Sequence, residues 1–298
     1  MTKIELTKWK ECAPMPLPRA GCAVAAVGGK VIVAGGTYWL DGQKFWCDRA
    51  DAFDPVTNQW KSLPPIPRIA GDAAGVAADG KFAVIGGGGS GPGAVEVWAF
   101  DGTAWLNWPA IPAPRRSCVA VFHDGRIFVF GGLSGNGTEF TTATNTVWCA
   151  RPGEAWQPCA PIPAPLRFNL AVGSVGGRIL VAGGCTADAS GVRNLDDVLA
   201  YDAAADRWSS AGRLPTPCRG SAGVGHHGQL LVVGGYTDRF IDTLVAFDPV
   251  TGKTTPAGRL PVGLADTRFV AIGERIVGVT GEDGIKHRYT DTLISAAN

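Results

Sequence analysis

The stretch Gly281-Glu282-Asp283-Gly284-Ile285-Lys286-His287-Arg288 sets a glutamate and an arginine in one glycine-bounded loop. A carboxylate partly withdrawn from water acquires a raised pKa and can pass a proton as a general acid or base. An arginine stays protonated, so Arg288 is expected to bind and orient charge rather than transfer it. Further arginines recur in register along the chain, at Arg19, Arg68, Arg115, Arg116, Arg167, Arg219 and Arg268. Guanidinium groups gathered in a cleft attract carboxylate or phosphate and clamp it through paired hydrogen bonds. Their competing use is internal, pairing with Asp72, Asp266 or backbone carbonyls to staple the scaffold. Residues 37–46 hold Tyr38, Trp39, Phe45 and Trp46. Such an aromatic loop can stack on a sugar ring, close as a lid, or pack on itself.

Other chemistries lack their residues. The four tyrosines and four histidines are scattered with no Tyr-His pair, so a copper-radical oxidase site is not expected. No Gly-x-Ser-x-Gly elbow is present for a hydrolase. The glycine run at residues 86–89 is followed by no helical pattern, which argues against a phosphate-cradling nucleotide loop. The eight cysteines form no C-x-x-C pair and read as reduced, mostly buried small hydrophobes.

The elements that must hold these residues are set by a repeat. A di-glycine closes an apolar run at Gly35-Gly36, Gly86-Gly87, Gly131-Gly132, Gly183-Gly184 and Gly234-Gly235, with Thr280-Gly281 as a degenerate sixth copy. A tryptophan recurs in phase at Trp9, Trp60, Trp105, Trp156 and Trp208, with Thr254 or Thr255 in the sixth place. A proline turn follows each one, as in Pro14-Met15-Pro16, Pro65-Ile66-Pro67 and Pro161-Ile162-Pro163. Each copy, about 50 residues long, parses as four antiparallel strands, one blade of a propeller. The fold expected is therefore all-β: six four-stranded blades forming one domain over residues 1–298. Residues 291–294 repeat the third strand of the preceding blade, so the missing fourth strand is expected from residues 4–9. That closure removes the open sheet edges.

In each blade the first two strands make a hairpin, so the proline lead-in and the loop leaving the di-glycine meet at one rim. Functional residues are expected there. Net charge is +1, which argues against a nucleic-acid or anionic-lipid partner. No apolar run approaches the length of a membrane helix, and the charged start at Met1-Thr2-Lys3 lacks an apolar signal region. A cytoplasmic location is the expectation, and the sequence sets no oligomeric state.

With these markers the whole chain resembles a kelch-repeat protein. The Gly281-Glu282 pair, Arg288 and the following Thr290-Asp291-Thr292-Leu293-Ile294 resemble the bacterial kelch-type N-acetylneuraminate (sialic acid) mutarotases, also called epimerases. That resemblance implies an isomerase acting on an acidic sugar, with Glu282 as catalytic base and Arg288 as its partner. Substrate carboxylate holders are then sought among Arg19, Arg68, Arg116, Arg167, Arg219 and Arg268, with Tyr38 and Trp39 against the sugar. The chemistry is proton removal from the anomeric hydroxyl, ring opening, bond rotation and reclosure, for which no cofactor is needed. The alternative reading is a non-catalytic kelch module that binds a protein or another anionic ligand at the same rim.

Overall fold

The computed structural model describes residues 4–91, 93–134 and 140–296. Met1 to Lys3 and Pro92 of the second exit loop lie outside them. The strands assemble into six four-stranded antiparallel sheets, the blades of a closed propeller. Blade one shows the pattern, pairing in chain order Ala23–Val27, Lys30–Ala34, Ala50–Asp54 and Gln59–Leu63. Two further hairpins, Thr37–Leu40 with Gln43–Trp46 and Cys185–Asp188 with Gly191–Asn194, rise from the exit loops of blades one and four.

Blade six joins Arg268–Ile272, Arg275–Val279 and Thr292–Ser295 to an N-terminal strand, as expected, but that strand is Trp9–Cys12. Residues 4–6 do other work. The Leu6 N–H donates to Ala257 O at 2.6 Å, and Ile4 and Leu6 are buried between blades five and six. The physical reason is the tryptophan: Trp9 must sit in the fourth-strand position, where its indole N–H donates to Arg259 O at 2.8 Å. The apolar residues before it are then left to seal the preceding blade.

All three repeated markers act between blades. The first glycine of each pair has positive φ, and at Gly35 (φ 66°) an added Cβ would lie 2.0 Å from Ala70 O of the next blade. That approach lets the Gly36 N–H donate to Ala70 O at 2.9 Å. The same bond recurs around the ring and ends with Gly281 N–H donating to Arg19 O at 3.2 Å. The apolar residue of each proline turn is buried, as with Met15, Ile66 and Ile162. Each tryptophan lies between blades, its indole N–H held by the preceding one: Trp60 to Ala13 O at 3.0 Å, Trp105 to Pro64 O at 2.8 Å, Trp208 to Ala160 O at 2.9 Å. Trp105→Phe is expected to lower folding stability by about 1 kcal/mol, the net worth of such a bond, and urea denaturation will read it. An unchanged midpoint would mean that ring packing alone sets this seam.

The cysteines follow their expected role. Cys22 and Cys118 are fully buried, and burial pushes their thiols up to about 12 and about 11.

Candidate functional site

The lead-in segments share one geometry that the variable arginine spacing conceals. Each ends in a left-handed residue: Gly21, Asp72, Ser117, Asn169, Gly220 and Asp266, with φ between 45° and 65°. Their backbones join blade to blade, Asp72 N–H donating to Gly21 O at 2.8 Å, Ser117 to Asp72 at 2.8 Å, Asn169 to Ser117 at 3.2 Å and Gly220 to Asn169 at 3.1 Å. The result is a collar around the propeller axis. Two glycines in it lie under the carboxylate of the next collar residue. A Cβ on Gly21 would lie 2.3 Å from Asp72 Oδ1, and one on Gly220 would lie 2.8 Å from Asp266 Oδ1. The two carboxylates therefore lean along the collar over their neighbours.

Position relative to the collar decides what each arginine does. Arg19, Arg115 and Arg167 stand two residues before it and turn inward against the third strand of their own blade or the residues leading into it. Arg19 is fully buried, donating to Asp51 Oδ2 at 2.7 Å, Arg49 O at 2.8 Å and Gly35 O at 3.1 Å. Arg167, also fully buried, makes a two-pronged pair with Asp197 at 3.0 and 2.9 Å. Arg115 lies 4.2 Å over the Trp148 ring. Arg68 donates to Gly86 O, 2.5 Å away. None of Arg19, Arg68 and Arg167 lines the mouth pocket, because the scaffold occupies their donors. Arg116 and Arg219 stand one residue before the collar and face the rim. Arg116 is spent on Gly89 O at 2.7 Å and lies 3.6 Å from Asp72. Arg219 bonds Asn194 Oδ1 at 2.8 Å and lies 4.7 Å over the Tyr236 ring. Arg268, two residues past the collar, falls below it in the axial channel.

The mouth pocket has a volume of about 350 Å³ on the collar's outer side. Its wall carries the aromatics Trp39, Tyr236 and Phe240, the cations Lys44, Arg219, Lys286 and Arg288, and the carboxylates Asp266 and Glu282. Lys286 sits 5.2 Å over the Trp39 ring. The Trp39 indole N–H has no hydrogen-bond partner among the described residues. The aromatic loop of blade one is thus a hairpin wall of this pocket. Its Tyr38 instead stacks on Phe45, centroids 5.4 Å apart, and does not line the pocket. The cationic residues Lys44 and Lys286 and the aromatics Tyr236 and Phe240 were missed as site residues. Their signal was the position of each beyond a di-glycine.

Glu282 and Arg288 do meet, Arg288 Nη1 lying 2.9 Å from Glu282 Oε1. Arg288 also donates to Thr37 O and Thr37 Oγ1, each at 3.2 Å, and so stitches blade six to blade one. His287 is largely exposed and pairs with Asp283 outside the pocket. Burial, then repulsion from Asp266, raises the Glu282 carboxyl to about 7 against the opposing pull of Arg288 and Lys44. Asp266 is raised too, by burial first and by Asp72, against the opposing pull of Arg268. An acid whose folded pKa lies above its unfolded value holds its proton more tightly when folded. Stability is therefore lost as pH rises from about 4.5 to about 7. Glu282→Gln should remove that slope, leaving the variant about 1–2 kcal/mol less pH-sensitive than wild type, with partial exposure discounted. Urea midpoints at pH 5 and pH 8 measure the difference. Parallel curves for the two proteins would contradict it.

Six closed blades around a collar, with a charged and aromatic pocket at one rim, define a kelch-type propeller with a binding mouth. Residues 109–281 match the KLHDC2/KLHL20/DRC7 Kelch-repeats domain and residues 18–67 match the Kelch motif. The chain belongs to the kelch-repeat family. It is 28% identical over 253 residues to the Kelch-like protein terF of Aspergillus terreus, covering 76% of this chain and 52% of that protein. It is 26% identical over 266 residues to Beta-scruin of Limulus polyphemus, covering 86% of this chain and 27% of scruin. With the Spermatocyte protein spe-26 of Caenorhabditis elegans the identity is 31% over 219 residues, 69% of this chain and 36% of the relative. The chain thus spans about half or less of the length of these relatives. Among the described residues no helix is long and apolar enough to cross a membrane.

Proposed function

We propose that this propeller is a recognition module whose mouth receives an acidic segment of a protein partner flanked by apolar side chains. The distribution of exposed apolar residues carries this reading. Of nine large hydrophobic side chains exposed among the described residues, six stand on lead-in segments or exit loops: Leu40, Ile69, Phe140, Leu166, Val192 and Ile285. Exposed hydrophobics gathered on one face of a rigid scaffold mark an interaction surface. The pocket at its centre has four cations against two carboxylates, a net attraction for acidic groups. The aromatic wall suits an anchoring side chain. The kelch-like and scruin relatives support a partner-binding role over a catalytic one. Panning a random peptide library on the intact protein tests it. Enriched peptides should be rich in Asp and Glu beside Leu or Phe, and should be lost with Arg219→Glu. Basic or neutral winners, or binding indifferent to Arg219, would sink the proposal.

A second reading is favoured by one observation, the Glu282 carboxyl raised to about 7 beside Arg288. It is an acid/base group tuned to neutral pH, as mutarotation of an acidic sugar such as N-acetylneuraminate requires. Here Glu282 takes and returns the proton while Arg219 or Lys44 holds the sugar carboxylate. Anomer interconversion followed by NMR is expected to accelerate with wild type and to fall to the buffer rate with Glu282→Gln. No acceleration by wild type removes this reading and leaves the binding one intact.

A further inference from the structure

The ion pair at the mouth is built unlike the ion pairs that hold the blades. Asp51 is fully buried beside Arg19 and accepts from Arg49 and Ser62 as well. Asp197 grips Arg167 with both oxygens, at 3.0 and 2.9 Å. Glu282 touches Arg288 through Oε1, and among the described residues Arg288 is the only cation within 4.0 Å of it. The Glu282 side chain stays 26% exposed, on the wall of the mouth pocket.

The scaffold does not need this carboxylate to place Arg288. Its Nε and Nη2 donate to Thr37 O and Thr37 Oγ1, and its Nη1 donates to His287 O, each at 3.2 Å. Those bonds fix the guanidinium between blades six and one, where it still lines the pocket. The Glu282 backbone is pinned too, exchanging bonds with Ala265 at 2.8 and 2.9 Å. Only its side chain is left to move between rotamers.

The charges around Glu282 pull both ways. Asp266 and Asp72 on the collar repel its carboxylate, while Arg288 and Lys44 attract it. Lys286 and Arg219 stand on the same pocket wall, and Asp283 and His287 of its own loop pair with each other outside. Arg268, below the collar, attracts Asp266. A carboxylate held by one contact among like charges is the group that an incoming acid displaces.

We propose that Glu282 is a built-in occupant of the acid-binding site, and that a partner's carboxylate replaces it on Arg288 as Glu282 takes up a proton. This rests on the reading of the mouth as a site for an acidic segment. The partner's carboxylate lies against Arg288 Nη1, and Glu282 turns aside carrying a proton drawn from water. Glu282 thereby sets specificity, because a neutral segment cannot displace it from the guanidinium. The sign of the pH dependence follows. With the Glu282 carboxyl at about 7, uptake of the proton opposes binding above that pH and not below it. The partner's own carboxylates stay ionised across the same range.

The probe is the most enriched acidic peptide from panning, labelled for fluorescence anisotropy on the intact protein. Wild type should bind it about 10-fold more weakly at pH 8 than at pH 6. Glu282→Gln, which cannot carry the charge, should bind equally at both, as tightly as wild type does at pH 6. Calorimetry in two buffers of different ionisation enthalpy should show about one proton taken up per peptide by wild type at pH 8, and none by the variant. Equal affinity of wild type and Glu282→Gln at pH 8 would overturn this proposal and leave the partner-binding reading standing. No acidic peptide bound by either protein removes both. Should the variant not fold, the proton count on wild type decides, and no uptake at pH 8 overturns the proposal.

Discussion

Asp51→Ala is expected to destabilise the fold by about 3–5 kcal/mol, the cost of stranding a buried charge. Arg19 and Asp51 are both fully buried, and the 2.7 Å pair is the only carboxylate contact Arg19 has among the described residues. Asp51 also accepts from Arg49 Nε and Arg49 Nη2, each at 2.8 Å, and from Ser62 Oγ at 3.2 Å, so its removal opens four bonds at once. The Arg19 backbone carbonyl takes the Gly281 N–H where blade six meets blade one, so disorder at Arg19 weakens the closing seam. Urea denaturation measures the loss. A double variant with apolar residues, Arg19→Met with Asp51→Leu, should recover much of it, since a neutral pair of similar volume strands no charge. A loss below about 1 kcal/mol in Asp51→Ala would show that water reaches Arg19 and that the arginine is free for other work.

Arg219→Glu is expected to do the reverse. Its guanidinium rests on Tyr236 of its own blade and bonds Asn194 of the blade-four hairpin at the pocket wall, a rim contact and not a buried ion pair. Reversing it removes a charge-assisted contact and adds repulsion, on the order of 100-fold in affinity for an acidic peptide, or about 2.7 kcal/mol. Because the contact is at a partly exposed rim, much of the effect should appear as slower association and a weaker salt dependence. Folding stability should change by about 1–2 kcal/mol, the worth of one cation–π contact and one hydrogen bond. Fluorescence titration at two ionic strengths, beside a urea curve, separates the two effects. Equal affinity for wild type and variant would remove Arg219 from the recognition surface.

The pair of predictions shows how far spacing can mislead. Arg19 and Arg219 occupy lead-in segments that look alike in sequence, yet they differ by one position relative to the collar. Alternate residues of an extended segment point to opposite sides, so a one-residue offset exchanges a blade staple for a mouth side chain. Arg268, displaced in the other direction, passes into the channel. The register of arginines was legible, but their offsets acquired meaning only once the left-handed collar residue supplied a common origin.

The repeat was different. Di-glycine, tryptophan and proline turn each serve a local requirement that recurs in every blade: a backbone approach, an indole bond and a buried apolar plug. Requirements of that kind leave a period in the chain, and the six-bladed ring, the strand order and the N-terminal closure follow from it. Even there the strand slid from residues 4–9 to Trp9–Cys12, because the blade accepts the tryptophan only in its own place. Glu282 and Arg288 were legible as a pair because they share one loop. The rest of the pocket draws Lys44 from blade one, Asn169 from blade four, and Arg219 and Tyr236 from blade five. No local pattern links residues so far apart in the chain. Only closure of the ring brings them to one mouth, and only their burial there raises Glu282 toward neutrality.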